Sequence, residues 1–352
     1  MLTTHSYLTN MSKTVIVTGV TGQDGSHMVD YLLKNTDHNI LGCVRRLSVS
    51  NYTNINHILE KKDPRFKLIN LDLTDPHSIE TAVRVNKPDF FINLAAQSFV
   101  GTSWAFPSQT FDTNANGVLH ILEAIKCHAP ECRLYNAGTS EEFGDVNYSP
   151  QDEKHPLKPR SPYGASKCAA RLLIKVYRES FNIFAIQSWL FNHEGTRRGE
   201  EFVTRKISKG IARLSRELNS GGVVTPMLLG NLEAERDWMD AEDAIRAIWE
   251  MVNLDRPKEY VIGTGKTWTI KQFINEGLEC AELKGEWSGE GASTKYTVDG
   301  KVIIAISDEF YRPAEVGHLM ADNQKAFREL SWRPQTSFKE LVYKMVNNDM
   351  NK

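Results

Sequence analysis

The chain has 352 residues, 41% hydrophobic and 24% charged, with 42 basic and 44 acidic side chains for a net charge of −2. That balance excludes a polybasic binder of nucleic acid or membrane surfaces, and no apolar run approaches the roughly 20 residues of a spanning helix. Length and composition fit a soluble protein with one sizeable domain and a smaller one.

Residues 1–10 have neither the basic start nor the apolar stretch of a secretory signal. Met11-Ser12-Lys13 directly precedes the first strand and reads as an alternative start behind a disordered leader. The five cysteines (Cys43, Cys127, Cys132, Cys168, Cys280) are scattered and odd in number, as expected of reduced thiols in a cytoplasmic protein. His120 and His128 do not complete a metal-ligand spacing with Cys127 and Cys132, so no metal is expected.

Thr14-Val15-Ile16-Val17-Thr18 is a β-branched run ended by Gly19, and it predicts the first strand. A helix follows with Met28, Tyr31, Leu32 and Leu33 on its apolar side. Further strands are predicted at 39–44, 66–70, 90–94, 134–137 and 184–190, with helices at 75–86, 107–129 and 162–182. This alternation predicts an α/β fold: a doubly wound parallel (Rossmann) sheet over residues 12–190. Beyond Phe191 come helical patterns at 202–217, 240–253, 270–282 and 322–330, another at the C-terminus, and one buried strand at 302–306. They predict a smaller mixed α/β substrate domain over 191–352, with segments crossing back to the first.

Gly19-Val20-Thr21-Gly22-Gln23-Asp24-Gly25 joins the first strand to the first helix. A Gly-rich turn here lets backbone N–H groups approach a pyrophosphate and lets helix pack closely on strand, so Gly19, Thr21, Gly22, Gln23 and Asp24 are candidate dinucleotide contacts. An NAD enzyme usually carries an acidic residue roughly 20 positions on, for the ribose 2′-hydroxyl. This chain has Arg45-Arg46 there, with Ser48 close by. Guanidiniums suit a 2′-phosphate, so the expected cofactor is NADP. Asp72-Leu73 falls where adenine would be contacted. Leu94-Ala95-Ala96-Gln97-Ser98 falls where small residues let a cofactor lie against backbone.

Tyr163 and Lys167 are four apart and share a helix face. Beside a bound nicotinamide, the ammonium can lower the phenol from its ordinary value near ~10, making it a proton acceptor for an alcohol. Thr139-Ser140-Glu141 adds a carboxylate that can take a proton from the neighbouring carbon. The combination predicts oxidation followed by elimination.

These motifs resemble those of the extended short-chain dehydrogenase/reductase superfamily. Five further segments narrow the likeness: Leu190-Phe191-Asn192-His193-Glu194, Arg197-Arg198-Gly199, Phe202-Val203-Thr204-Arg205-Lys206-Ile207, 230–238 (GNLEAERDW) and 311–316 (YRPAEV). From about Lys13 to the C-terminus the chain is similar to the GDP-mannose 4,6-dehydratase family. The resemblance implies that Tyr163 takes the sugar C4 hydroxyl proton, Thr139 polarises the C4 oxygen, and Glu141 removes the C5 proton. It implies that Lys167, His193 and Arg198 hold the cofactor, and that Ser98, Asn192, Lys206, Arg236, Arg312 and Glu315 hold the GDP-sugar.

The chain departs from the family pattern at several positions. Gly195-Thr196 stands where Ser-Pro is common, Ala137-Gly138 where Ala-Ser is usual, and Gln109 where a Tyr is found. Phe99 and Gly101 replace a His and a larger residue. The small Gly138 and Gly101 predict a roomier sugar pocket, which keeps GDP-manno-heptose open beside GDP-mannose. A GDP-sugar 4-reductase or epimerase would need no base at C5, so Glu141 is the discriminating residue. A non-enzymatic NADP sensor would not need to retain Tyr163 and Lys167. The long polar stretch from Leu47 to Asn56 matches a segment that, in the family, reaches a neighbouring subunit; a homodimer or homotetramer is expected.

Overall fold

The structure, a computed structural model, describes residues 12–307, 310 and 318–352. Six strands, β1 (Thr14–Val17), β2 (Asn39–Val44), β3 (Phe66–Asn70), β4 (Phe90–Asn93), β5 (Arg133–Ala137) and β6 (Ala185–Leu190), pair in parallel in the order β6-β5-β4-β1-β2-β3. A short strand, Val261–Ile262, extends the sheet beyond β6. The helices of the first half are α1 (Gln23–Asn35), α2 (Asn56–Lys61), α3 (Pro76–Asn86), α4 (Val100–Ala105), α5 (Pro107–Phe111), α6 (Gly117–His128) and α7 (Pro162–Phe181).

Alternation along β1 explains the layers. Val15 and Val17 face one core with Met28, Val29 and Leu32 of α1, whereas Ile16 faces another with residues of α3, α6 and α7. Both faces are covered, so all three strand residues are fully buried. Strand order reverses between β1 and β4, and such a switch point leaves a crevice beyond the carboxyl ends of the strands.

The single helix predicted at 107–129 is interrupted. Asp112–Asn116 forms a π turn between α5 and α6. Apolar spacing continues across the turn, which is why the sequence pattern hides it; the widened backbone carries Asn114 into the protein interior.

The second half builds a four-stranded sheet in the order Glu286–Ser288, Lys295–Val298, Lys301–Ile306, Met227–Leu229. Its core includes apolar residues of α8 (Val203–Asn219), α10 (Ile270–Cys280) and α12 (Phe338–Met350). The Lys301–Ile306 strand carries the long apolar run that sequence periodicity detects; Met227–Leu229 is apolar but only three residues long, and Glu286–Ser288 is mostly exposed. The chain also returns to the first sheet: α9 (Ala241–Val252) packs on α1, and α11 (Gln324–Glu329) contributes Ala326 to the same core.

Candidate active site

A cleft of ≈ 680 Å³ opens at the carboxyl ends of the parallel strands. Its floor is the turn between β1 and α1. Gly19 there has φ +69°, and a Cβ on it would sit 2.9 Å from the Ala95 nitrogen. A Cβ on Gly25 would lie 2.2 Å from the Gly19 carbonyl, so glycine is what lets α1 approach the strand end. Gly22 is the N-cap of α1 and offers no side chain to the first-turn N–H groups. This cradle fits a dinucleotide pyrophosphate, which those N–H groups and the helix dipole would receive. Thr21, Gln23 and Asp24 also line the cleft.

At the end of the cleft expected from the sequence to meet adenosine, Arg45, Asp72 and Leu73 line it, while Arg46 and Ser48 are exposed outside its lining. Asp72 caps the next turn by accepting from the nitrogen and hydroxyl of Thr74. Asn51 and Asn54 reach the cleft from the polar stretch 47–56, and Asn54 Nδ2 donates to the Thr21 carbonyl at 3.0 Å. Neither Asn was distinguishable in sequence from ordinary loop residues. Leu94, Ala96 and Ser98 line the opposite wall.

Thr139, Glu141, Tyr163 and Lys167 come together at the far end. Thr139 caps a 3₁₀ turn, Ser140–Glu142, and accepts from the Glu141 nitrogen at 3.3 Å. Tyr163 and Lys167 lie in the first two turns of α7, whose N-cap Ser161 accepts from Gly164. Burial pushes the Tyr163 phenol up from its ordinary value; the Thr139 hydroxyl and Arg198 pull it down, and the charges of Glu141 and Glu142 add to the rise. The expected lowering by Lys167 is not made by direct contact in the protein alone. Its ammonium donates to the Ala137 carbonyl at 2.8 Å and lies 6.0 Å from the centre of the Tyr163 ring. Burial lowers the Lys167 ammonium itself to about 8.

Behind the cradle, His193 Nε2 lies 2.8 Å from Asp24 Oδ2, and Gln23 Nε2 donates to the His193 carbonyl at 3.0 Å. Arg198 sits with its guanidinium 3.5 Å from the centre of the Phe202 ring and its Nε 3.1 Å from Glu194 Oε2. Phe202 is in turn met edge-on by Phe99, with ring centres 5.9 Å apart.

The two small residues expected to enlarge the pocket do not open space. A Cβ on Gly138 would fall 2.0 Å from the Ser188 carbonyl, so this glycine serves the close approach of the β5 end to β6. The position over Gly101 is taken by the Phe99 ring, 3.0 Å from where a Cβ would be.

Asn192 lines the cleft, whereas Lys206 and Arg236 lie outside its lining. Lys206 stands 3.6 Å over the Phe310 ring. Arg236 pairs across a short ladder with Trp268 and donates to the Glu235 carbonyl; its neighbour Asp237 accepts instead from Thr264, Gly265 and Ala321. Arg312 and Glu315 lie outside the described residues. Two buried residues went unseen in the sequence. Asn114 clamps both backbone groups of Gln97 and donates to Ser166; Glu142 holds Arg171. A hydrophobic count would have marked either as an exposed polar residue.

A family model described as GDP-mannose 4,6 dehydratase matches residues 16–345. The chain is 40% identical to GDP-mannose 4,6 dehydratase 2 of Arabidopsis thaliana over 348 residues, covering 96% of this chain and 87% of that one. It is 38% identical to the Drosophila melanogaster GDP-mannose 4,6 dehydratase (96% and 86% covered) and 37% identical to the Yersinia enterocolitica enzyme (96% and 94%). In fold it is similar to the dTDP-glucose 4,6-dehydratase of Bacillus anthracis in complex with NAD, with TM-score 0.77, 20% identity, and 96% of each chain covered. A similar likeness (TM-score 0.75, 20% identity, 97% of this chain and 99% of the other) holds for RMD of Pseudomonas aeruginosa complexed with NADPH. With a nucleotide cradle, a Tyr–Lys pair and a Thr–Glu turn on one cleft, and relatives matched over nearly their whole length, the chain belongs to the GDP-mannose 4,6-dehydratase family of hydro-lyases.

Proposed function

We propose that the protein dehydrates a GDP-sugar, GDP-mannose first, to the 4-keto-6-deoxy product in the cytoplasm, with NADP as its nicotinamide cofactor. The observation that carries this reading is the placement of a carboxylate, Glu141, and a phenol, Tyr163, on one wall of the nucleotide cleft, close enough for the charge of one to act on the other. A bound nicotinamide would supply the hydride acceptor for C4 and the hydride donor for C6, with no net redox change.

The chain's own groups handle the protons. Tyr163 takes the proton of the C4 hydroxyl, and the Thr139 hydroxyl donates to the C4 oxygen as it becomes a carbonyl. That carbonyl acidifies C5–H, and Glu141 removes the proton. The C6 hydroxyl leaves as water with the proton that Glu141 took from C5. When hydride is added at C6, the proton that Tyr163 took from the C4 hydroxyl is the one returned to C5, so both groups end as they began. Lys167, anchored on the Ala137 carbonyl, holds the ribose side of the cofactor beside Tyr163. Asn192 and Ser98 border the sugar, while Lys206, Arg236, Arg312 and Glu315 are proposed to receive the GDP portion.

The choice of NADP rests on Arg45 and Arg46, since two guanidiniums at the end of β2 favour a 2′-phosphate over a hydroxyl. We propose residues 12–190 as the nucleotide domain and 191–352 as the GDP-sugar domain, and a homodimer or homotetramer joined through the 47–56 segment. Because neither Gly138 nor Gly101 opens a pocket, GDP-mannose is favoured over GDP-manno-heptose. The test is incubation with NADP+ and each sugar nucleotide, followed by weighing the products. Loss of one water from GDP-mannose alone supports the reading; an unchanged mass, or a product only epimerised at C4, overturns it.

A further inference from the structure

Beneath the cleft, four neighbouring parallel strands each place one uncharged polar side chain in the same row. In sheet order these are Gln187 of β6, Asn136 of β5, Asn93 of β4 and Thr18 just beyond β1. Asn93 is the register partner of Asn136, and Asn136 of Gln187. All four are nearly or wholly excluded from solvent. Each donates to the next: Thr18 Oγ1 to Asn93 Oδ1 at 2.6 Å, Asn93 Nδ2 to Asn136 Oδ1 at 2.6 Å, and Asn136 Nδ2 to Gln187 Oε1 at 2.7 Å. Gln187 Nε2 then donates to Glu142 Oε1 at 3.1 Å.

The direction of this row is dictated independently from both ends. Glu142 is held by Arg171 and accepts from the Thr139 nitrogen at 2.9 Å, so as a carboxylate it only accepts. Gln187 must therefore turn its amide nitrogen toward Glu142 and its oxygen toward Asn136. The same logic orients Asn136, then Asn93. At the other end Thr18 Oγ1 accepts from the Leu94 and Ala95 nitrogens, both at 3.0 Å, which commits its one proton to Asn93. The two constraints agree, and every dipole in the row points the same way, so the bonds reinforce one another.

We propose that this polarised row is a positioning device for the reaction, with Asn136 and Gln187 as positioning residues. It sets the Glu142 carboxylate, and through it the turn that carries Thr139 and Glu141. From its other end it fixes the Leu94–Ala95 segment on the cofactor wall. One row of side chains thus sets both walls of the cleft in register.

The inference rests on the proposed roles of Thr139 and Glu141, so its test includes a readout that is independent of the reaction. Asn136→Asp is nearly isosteric but replaces the donor with an acceptor facing Gln187 Oε1. At pH 8 it is expected to lower kcat about tenfold or more, a typical consequence of a slightly misplaced catalytic group, while the sugar-nucleotide KM stays within about threefold. NADPH affinity, read by fluorescence without substrate, is expected to fall at least about threefold as the row is broken. As pH falls, the introduced carboxyl gains a proton and can donate again. The charged neighbours Glu142, Arg171 and Lys167 are common to both proteins, so the ratio of variant to wild-type kcat should rise. Thr18→Val should weaken NADPH binding from the opposite end. The control is Tyr135→Phe, which removes the buried 2.6 Å bond to Ser188 without touching the row. It should lower the melting temperature but leave kcat and NADPH affinity unchanged. Unchanged kcat and affinity in Asn136→Asp, or equal losses in Tyr135→Phe, would overturn the proposal. If wild type does not dehydrate GDP-mannose, the NADPH measurements decide the inference alone.

Discussion

His193 donates from both ring nitrogens: Nδ1 lies 2.8 Å from the Phe191 carbonyl and Nε2 lies 2.8 Å from Asp24 Oδ2. A neutral imidazole has one N–H, so the arrangement calls for the imidazolium. Burial opposes that charge, but Asp24 outweighs it and raises the His193 ring above its ordinary value. Burial likewise pushes the Asp24 carboxyl up, and His193 with Arg198 overcomes this and holds it well below the carboxylate range.

This pair predicts a pH window for stability. A raised histidine contributes fully below its unfolded value near ~6.5, and the contribution is lost as pH rises through the folded value. A depressed aspartate contributes above its unfolded value near ~3.9, and is lost as pH falls through the folded one. The stability gap between wild type and His193→Gln should therefore be widest between about pH 4 and 6.5 and shrink above it. Urea denaturation at a series of pH values measures this; a gap that grows toward pH 9 contradicts it.

Removing the proposed C5 base should separate dehydration from dehydrogenation. Glu141→Gln should cut dehydration by about 10²–10⁴-fold, the usual contribution of a positioned base. Product mass and a transient rise in reduced cofactor absorbance report the two halves. Undiminished water loss in the variant would refute the role of Glu141.

Cofactor choice is tested at the end of β2. Arg45→Ala with Arg46→Ala should weaken NADP by about 2 kcal/mol or more, of the order of lost charge-assisted hydrogen bonds, with little effect on NAD. Calorimetric titration with each dinucleotide distinguishes this from a general loss of binding.

Gly195 borders two buried polar atoms that lack partners among the described residues, Gln23 Oε1 and His27 Nε2. A Cβ there would stand at ordinary contact distance, 3.4 Å and 3.8 Å from them. Gly195→Ser should stabilise by about 0.5–1.5 kcal/mol, from one new hydrogen bond and a less flexible unfolded chain. Gly195→Ala is the comparison that isolates the hydroxyl.

Gly138 predicts the opposite sign. Its Cβ would strike the Ser188 carbonyl, so Gly138→Ala should cost about 1–3 kcal/mol by overpacking. Chemical denaturation measures the loss; a neutral outcome would restore the view that the position faces open pocket.

Much of the fold was legible because its signals are local. Strands β1 to β6 are short apolar runs, the cradle is a glycine pattern between strand and helix, and Tyr163 with Lys167 follows helical spacing. The exposed strand Glu286–Ser288 and the two-residue ladder at Arg236 gave no such signal, since neither carries an apolar run. Tyr163 shows a different limit. Its partnership with Lys167 was read from spacing, yet its surroundings in the folded protein are set first by burial and then by Thr139, the Glu141 and Glu142 charges and Arg198.

Residue types and short-range spacing were enough to define a nucleotide-binding parallel sheet, a phenol–ammonium pair and a nearby carboxylate. Tertiary structure alone decided that Gly138 is a packing requirement, that a π turn delivers Asn114, and that Thr18, Asn93, Asn136, Gln187 and Glu142 form one directed row. The reason is separation along the chain. Successive members of that row are joined by bonds spanning 75, 43, 51 and 45 residues, so their meeting follows from strand register and not from any local pattern.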